Sequence, residues 1–236
     1  MTINRKRAIW AGVFYIIATA APILTSFFTG FLGGMVSGEP IPNFLASVST
    51  NEVQVIVGMF IELSWALAVI GIIVTLLPIL KKQNEALALG FSGFRFIEAI
   101  CTIIHSIILL TLLTLGQKFA TAGNPENSFF QTAGTLFLAA RDWTFLIGSG
   151  LVWSLSAVIL NYLLIQSKLI PRWLSIWGFA GGILSFATYF AKFFGITSLD
   201  ILFMPIGLQE MVFAVWLIFK GLKKSAIDPA LDKKIL

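Results

Sequence analysis

Charge is scarce in this chain. Asp, Glu, Lys and Arg make up 11% of its residues, against about a quarter in an ordinary soluble domain, which leaves too little polar surface to cover a folded chain in water. Cysteine and histidine are scarcer still, with one of each, Cys101 and His105. A lone cysteine forms no internal disulfide, and one thiol with one imidazole does not furnish the ligand set of a zinc site. No His-Glu-x-x-His, Cys-x-x-Cys or glycine-rich phosphate loop occurs, so metalloprotease, redox and nucleotide-binding readings have nothing to rest on. No cofactor and no metal is expected, although an all-carboxylate site for a harder cation stays open.

What is abundant is apolar length. Hydrophobic residues are 58% of the chain, its mean hydropathy is +0.93, and the apolar runs reach the ~20 residues that a helix needs to cross a ~30 Å hydrocarbon core. Six spans are expected: Ala8 to Gly34, Val53 to Leu80, Leu87 to Leu115, Thr132 to Ile165, Pro171 to Phe193 and Ile201 to Gly221. Loop chemistry separates them at Gly38-Glu39-Pro40-Ile41-Pro42-Asn43, Lys81-Lys82-Gln83-Asn84-Glu85 and Gly123-Asn124-Pro125-Glu126-Asn127. The runs exceed strand length and do not alternate, so the fold class is all-α: a polytopic membrane helical bundle, one integral domain over residues 1–236.

The net charge of +5 reports topology rather than nucleic acid. With the N-terminus inside, the cytoplasmic segments hold Arg5, Lys6, Arg7, Lys81, Lys82, Lys168, Arg172, Lys220, Lys223, Lys224, Lys233 and Lys234, twelve of the sixteen basic residues, and the outer side only Lys118 and Lys192. That asymmetry is the positive-inside pattern. It predicts a cell-membrane protein with both termini cytoplasmic and anionic lipid at that face. Arg5-Lys6-Arg7 before an apolar stretch with Ala18-Thr19-Ala20 imitates a secretory signal, but hydrophobicity runs on past Ala20 and favours a span.

Four strings resemble a known family: Lys-Lys-Gln-Asn-Glu-Ala-Leu-Ala-Leu-Gly-Phe at 81–91, Phe94-Arg95-Phe96-Ile97-Glu98-Ala99, Ala139-Ala140-Arg141-Asp142-Trp143 and Ile170-Pro171-Arg172-Trp173-Leu174. They are similar to the bacterial and archaeal membrane-protein family catalogued as domain of unknown function 4386. The resemblance implies a multi-helix prokaryotic membrane protein and carries no activity to transfer. A second likeness, of Gly90-Phe91-Ser92-Gly93 to the Gly-x-Ser-Gly of rhomboid proteases, fails on geometry. His105 lies ~20 Å further along the same helix, beyond reach of a Ser-His dyad.

Six ionisable residues fall inside spans: Glu62, Arg95, Glu98, Arg141, Asp142 and Glu210. Each costs ~2.5–3.5 kcal/mol at the centre of a membrane helix, so they must face one another or a wet cavity. Arg95, Glu98, Thr102 and His105 share one helical face within about 80°. Gln131, Thr135, Asp142, Ser149 and Ser156 form a polar stripe on the fourth span, and Glu62 stands with Gly58 and Trp65 on the second. Glu210 follows Pro205, whose missing N–H would free a carbonyl within the span. At ~1.5 Å per residue, Glu62, His105, Asp142 and Glu210 all lie about 14–15 Å from the outer ends of their spans. The expectation is one interior chamber near mid-bilayer.

Read functionally, Glu62, Arg95, Glu98, His105, Arg141, Asp142 and Glu210 bind or transport a small polar or cationic ligand, or protons. Alternatively the carboxylates serve an acid/base enzyme acting on a lipid-borne substrate, or Arg95–Glu98 and Arg141 with Glu62 or Glu210 form a structural charge network in an accessory subunit. Four acids against two arginines leave a surplus, so at least one carboxyl, Glu62 or Glu210, is expected to carry a proton or meet a ligand. Cys101 reads as a packing residue and Lys192 as snorkelling outward. Gly178 and Gly182 read as a close helix contact, and Thr19 and Ser26 as hydroxyls satisfying backbone freed by Pro22. Self-association is left open.

Overall fold

The computed structural model describes residues 3–30, 43–123 and 129–223. Gly34, the loop residues 38–42 and 124–127, and the basic Lys224, Lys233 and Lys234 lie outside these. Among the described residues all regular structure is helical, and six helices are long and apolar enough to cross a membrane. α1 is Ile3–Thr29, α2 Phe44–Thr50, α3 Glu52–Leu80, α4 Glu85–Thr121 and α5 Phe129–Thr144. A π-helical segment, Phe145–Val152, carries α5 directly into α6 (Trp153–Ser167), so the fourth crossing is one 39-residue helix. α7 is Arg172–Lys192, and a 3-10 turn, Asp200–Phe203, leads into α8, Met204–Phe219.

The helix ends follow from local chemistry. Asn84 caps α4 by accepting from Leu87 N at 3.0 Å, with Glu85 in the first turn and Lys118 in the last complementing the helix dipole. Lys168 and Gly221 close α6 and α8 in left-handed conformation. Pro205 sits in the first turn of α8, where backbone N–H groups have no intrahelical partner anyway. It therefore starts the helix and frees no carbonyl within it, contrary to the expectation above.

α1 lies along α3 and α8, α3 along α4, and α6 along α7, while α4 also touches α2, α5, α6 and the π segment. Lipid tails are as apolar as leucine, so these contacts rest on close approach rather than water exclusion. Gly12 admits the Ala214 carbonyl, where a Cβ would sit 2.6 Å from the oxygen. Gly178 and Gly182 fit against Asn161 and Val158 as the small-residue spacing implied. Outward-facing Trp10, Phe27, Leu67, Val74 and Trp173 are exposed, as a lipid-facing surface requires.

Two apolar clusters fill the ends of the bundle. One joins Ala8, Leu80, Ala88, Leu169, Leu174 and Leu217, and so gathers the start of α1, the α3–α4 and α6–α7 turns and the end of α8. Arg5 locks that end by donating to Leu217 O at 2.8 Å and to Phe219 O at 3.1 Å. The other cluster holds Phe44, Leu45 and Val48 of α2 against Val55, Leu109 and Leu138. On α3 Glu62 falls between these clusters, and on α4 so do Thr102 and His105.

Candidate functional site

The buried charges do not form one chamber; they divide into two groups. In the first, Arg141 of α5 and Glu62 of α3 are 2% and 0% exposed. The Arg141 guanidinium donates to both Glu62 oxygens and, at 2.8 Å, to the carbonyl of His105. Ser106 donates to Glu62 Oε2 at 2.9 Å, and His105 Nδ1 lies 3.2 Å from Oε1 without hydrogen-bond alignment. One cation faces one anion, and the pair is closed on itself.

The second group belongs to α1, α4, α6 and α8. Arg95 donates to Glu98 Oε2 at 3.0 Å and to Glu210 Oε1 at 3.4 Å, so one guanidinium serves two carboxylates. It also reaches Tyr15 Oη at 3.4 Å and stands 5.3 Å from the centre of that ring. Thr19 donates to Glu210 Oε2 at 2.9 Å and Trp153 Nε1 to Oε1 at 3.3 Å. Thr19 has therefore turned to the site, and Ser26 donates to the carbonyl of Pro22 itself at 3.0 Å, whereas the missing Pro22 N–H frees the carbonyl four residues earlier, so neither hydroxyl plays the expected part.

A cavity of about 210 Å³ borders this second group. Glu98, Arg95 and Glu210 stand on its wall beside the rings of Trp65, Phe145, Trp153, Tyr189 and Phe203. All six crossing helices contribute to it. Ser149 carries the polar lining across from the fourth crossing, with its hydroxyl 3.5 Å from that of Thr102. The Trp65 and Phe145 rings, 6.3 Å apart, and His105 against Phe145 at 5.9 Å stand where the two charged groups approach each other.

Of the residues expected at the site, Arg95, Glu98 and Glu210 border the cavity, while Glu62, His105 and Arg141 make the closed pair beside it. Asp142 is half-buried and does not border the cavity. The polar stripe on the fourth crossing is also corrected: Thr135 is exposed, and Gly134, Leu138 and Arg141 form the buried face. The guanidinium selects that face by pairing with Glu62, and across the π segment the register shifts, so that Ser149 and Ser156 do lie on the buried side. Lys192, at the end of α7, binds Asp200 at 2.9 Å.

Tyr15, Thr19, Trp65 and Trp153 complete the second group and were not assigned to a site from the sequence, beyond the pairing of Trp65 with Glu62. Tyr15 and Thr19 are four apart on one face of α1, a spacing that puts them together but does not by itself mark a site. Among the described residues no three His, Cys, Asp or Glu side chains come together as a metal set requires.

A family model described as domain of unknown function (DUF4386) matches residues 10–221. No curated protein and no solved structure matches the chain.

Proposed function

Since the chain belongs to the family described as domain of unknown function (DUF4386), a description that assigns no activity, we propose from its geometry that this membrane protein binds a small ammonium-type cation in the Glu98–Arg95–Glu210 cavity. One observation carries the reading: two carboxylates share a single guanidinium beside an aromatic-walled space. Arginine keeps its charge under all ordinary conditions, so with both acids ionised the wall holds one uncompensated negative charge. In a low-dielectric interior that charge calls for a proton or a cation. Aromatic faces favour ammonium groups, tryptophan most strongly, and Trp65 and Trp153 both border the space. An anion is disfavoured, because the terminal nitrogens of Arg95 already serve Glu98, Glu210 and Tyr15.

The structural reading suits the other group. Glu62 and Arg141 balance each other, border no part of this cavity, and join α3, α4 and α5. Orientation in a prokaryotic cell membrane, with the Arg5 end in the cytoplasm facing anionic lipid, is supported by the basic residues gathered at that end. Transport would need a second opening and is the further step of the same proposal.

Tetramethylammonium is the direct probe. Titrated into purified protein, it should give a saturable change in the emission of Trp65 and Trp153, with affinity at least tenfold weaker in Glu210→Gln (about 1.4 kcal/mol). An unchanged titration in that variant sinks the proposal.

A further inference from the structure

We infer that the cavity is entered sideways from the bilayer, which makes its ligand an ammonium group carrying a hydrocarbon chain; this rests on the cation reading of Glu98 and Glu210. Toward both ends of the bundle, ring and ion-pair contacts among the described residues crowd the routes to water. Away from the Arg5 end, the Phe203 ring lies 4.4 Å from that of Tyr189 and 5.5 Å from the Lys192 ammonium, which Asp200 anchors. Toward the Arg5 end, Arg95 lies over Tyr15, Tyr15 meets Phe213 edge-on at 5.2 Å, and Gly12 closes on Ala214.

The flank between α1 and α8 is different. The pairings that join these helices run Arg5 with Leu217, Gly12 with Ala214, Tyr15 with Phe213 and Thr19 with Glu210. At the next turn Pro22 and Ile23 of α1, with Phe203 and Gly207, border the cavity instead. Ile23 lines the cavity and is nevertheless 71% exposed, so the space reaches the lipid-facing surface there. Across from it, a Cβ built on Gly207 meets no heavy atom within 4 Å. Leu24, Met204 and Leu208 around this gap are exposed and apolar.

Volume decides what enters. About 210 Å³ is less than the ~300–1,000 Å³ of a pocket that swallows a drug-sized ligand. It seats a head group, and a longer chain must leave through the gap between Ile23 and Gly207. The chain loses nothing by lying there, since the surrounding acyl tails are as apolar as itself.

The test uses the full chain in lipid nanodiscs with radiolabelled tetramethylammonium and decyltrimethylammonium, each measured against empty nanodiscs. Both probes should bind wild type and weaken at least tenfold in Glu210→Gln. Gly207→Leu and Ile23→Trp, which narrow the gap, should weaken decyltrimethylammonium at least tenfold more than they weaken tetramethylammonium. Ile23 faces lipid, so its variant decides if Gly207→Leu fails to fold in a thermal melt. If neither probe binds wild type, the cation reading itself falls. Tetramethylammonium binding that needs Glu210, without decyltrimethylammonium binding, overturns the lateral route alone. So do equal losses of both probes in the gap variants, which would mean a single closed space. Decyltrimethylammonium held equally by wild type and Glu210→Gln is bilayer partitioning and overturns the inference.

Discussion

Removing Arg141 carries a high cost. Its guanidinium serves both oxygens of Glu62 and a backbone carbonyl in a fully buried setting, so Arg141→Ala would strand the Glu62 charge. Breaking a buried pair in this way costs about 3–5 kcal/mol. Asp142, one residue on, is half-buried, and Asp142→Asn keeps its size. Detergent thermal melts should therefore show a large drop for Arg141→Ala and a small one for Asp142→Asn; equal drops would contradict the geometry. The same measurement separates the acids. Glu62→Gln removes the anion of a closed one-to-one pair and should melt well below wild type at neutral pH. Glu210→Gln leaves Arg95 with Glu98, and its amide oxygen can still accept from Thr19 or Trp153, so its melt should stay close to wild type. The sequence count of four acids against two arginines becomes three against two, since Asp142 stands outside both groups, and Glu62 and Glu210 were treated alike because pairing across α3 and α5 has no signature in residue spacing.

Among the elements, the π segment Phe145–Val152 departs most from what periodicity implies. Its i→i+5 bonding takes more residues per turn than an α-helix, so one regular stripe cannot follow the buried face on both sides of it: Ser149 and Ser156 are buried, but Thr135, before the segment, is exposed. Gly148 here lies against Cys101 of α4, and an added Cβ would collide with the Cys101 Cβ itself. Gly148→Ala should cost ~1–3 kcal/mol as an overpacked contact. Cys101→Ala should not rescue it, because the colliding atom remains, whereas Cys101→Gly should restore part of the loss in a thermal-melt double-mutant cycle. Rescue by Cys101→Ala would mean that the clash is with the sulfur alone. The six crossings were legible because bilayer thickness imposes length, and the charged residues because hydrocarbon penalises them. The seven-residue α2 was too short to register, and Tyr15 and Thr19, being neutral, raise no penalty that would mark them.

For the whole molecule, the described ends are fixed to the same side: Arg5 binds the last turn of α8, and Lys223 N donates to Leu169 O at the α6–α7 turn at 2.9 Å. Reporter fusions at either terminus should both report a cytoplasmic position, and a periplasmic signal from either would reverse the assigned orientation. The seam between α1 and α8 also sets a timetable for assembly. The first helix made is completed by the last, since Gly12, Tyr15 and Thr19 meet Ala214, Phe213 and Glu210. At ~5–20 residues per second, α1 leaves the ribosome roughly 10–40 s before α8 follows it. From the moment α4 follows, the nascent chain holds Arg95 and Glu98 in the membrane without Glu210, and Thr19 lacks its acceptor throughout. A chain stalled or truncated before α8 would keep the cavity's wall open to lipid, and membrane-embedded proteases and chaperones would meet it in that state.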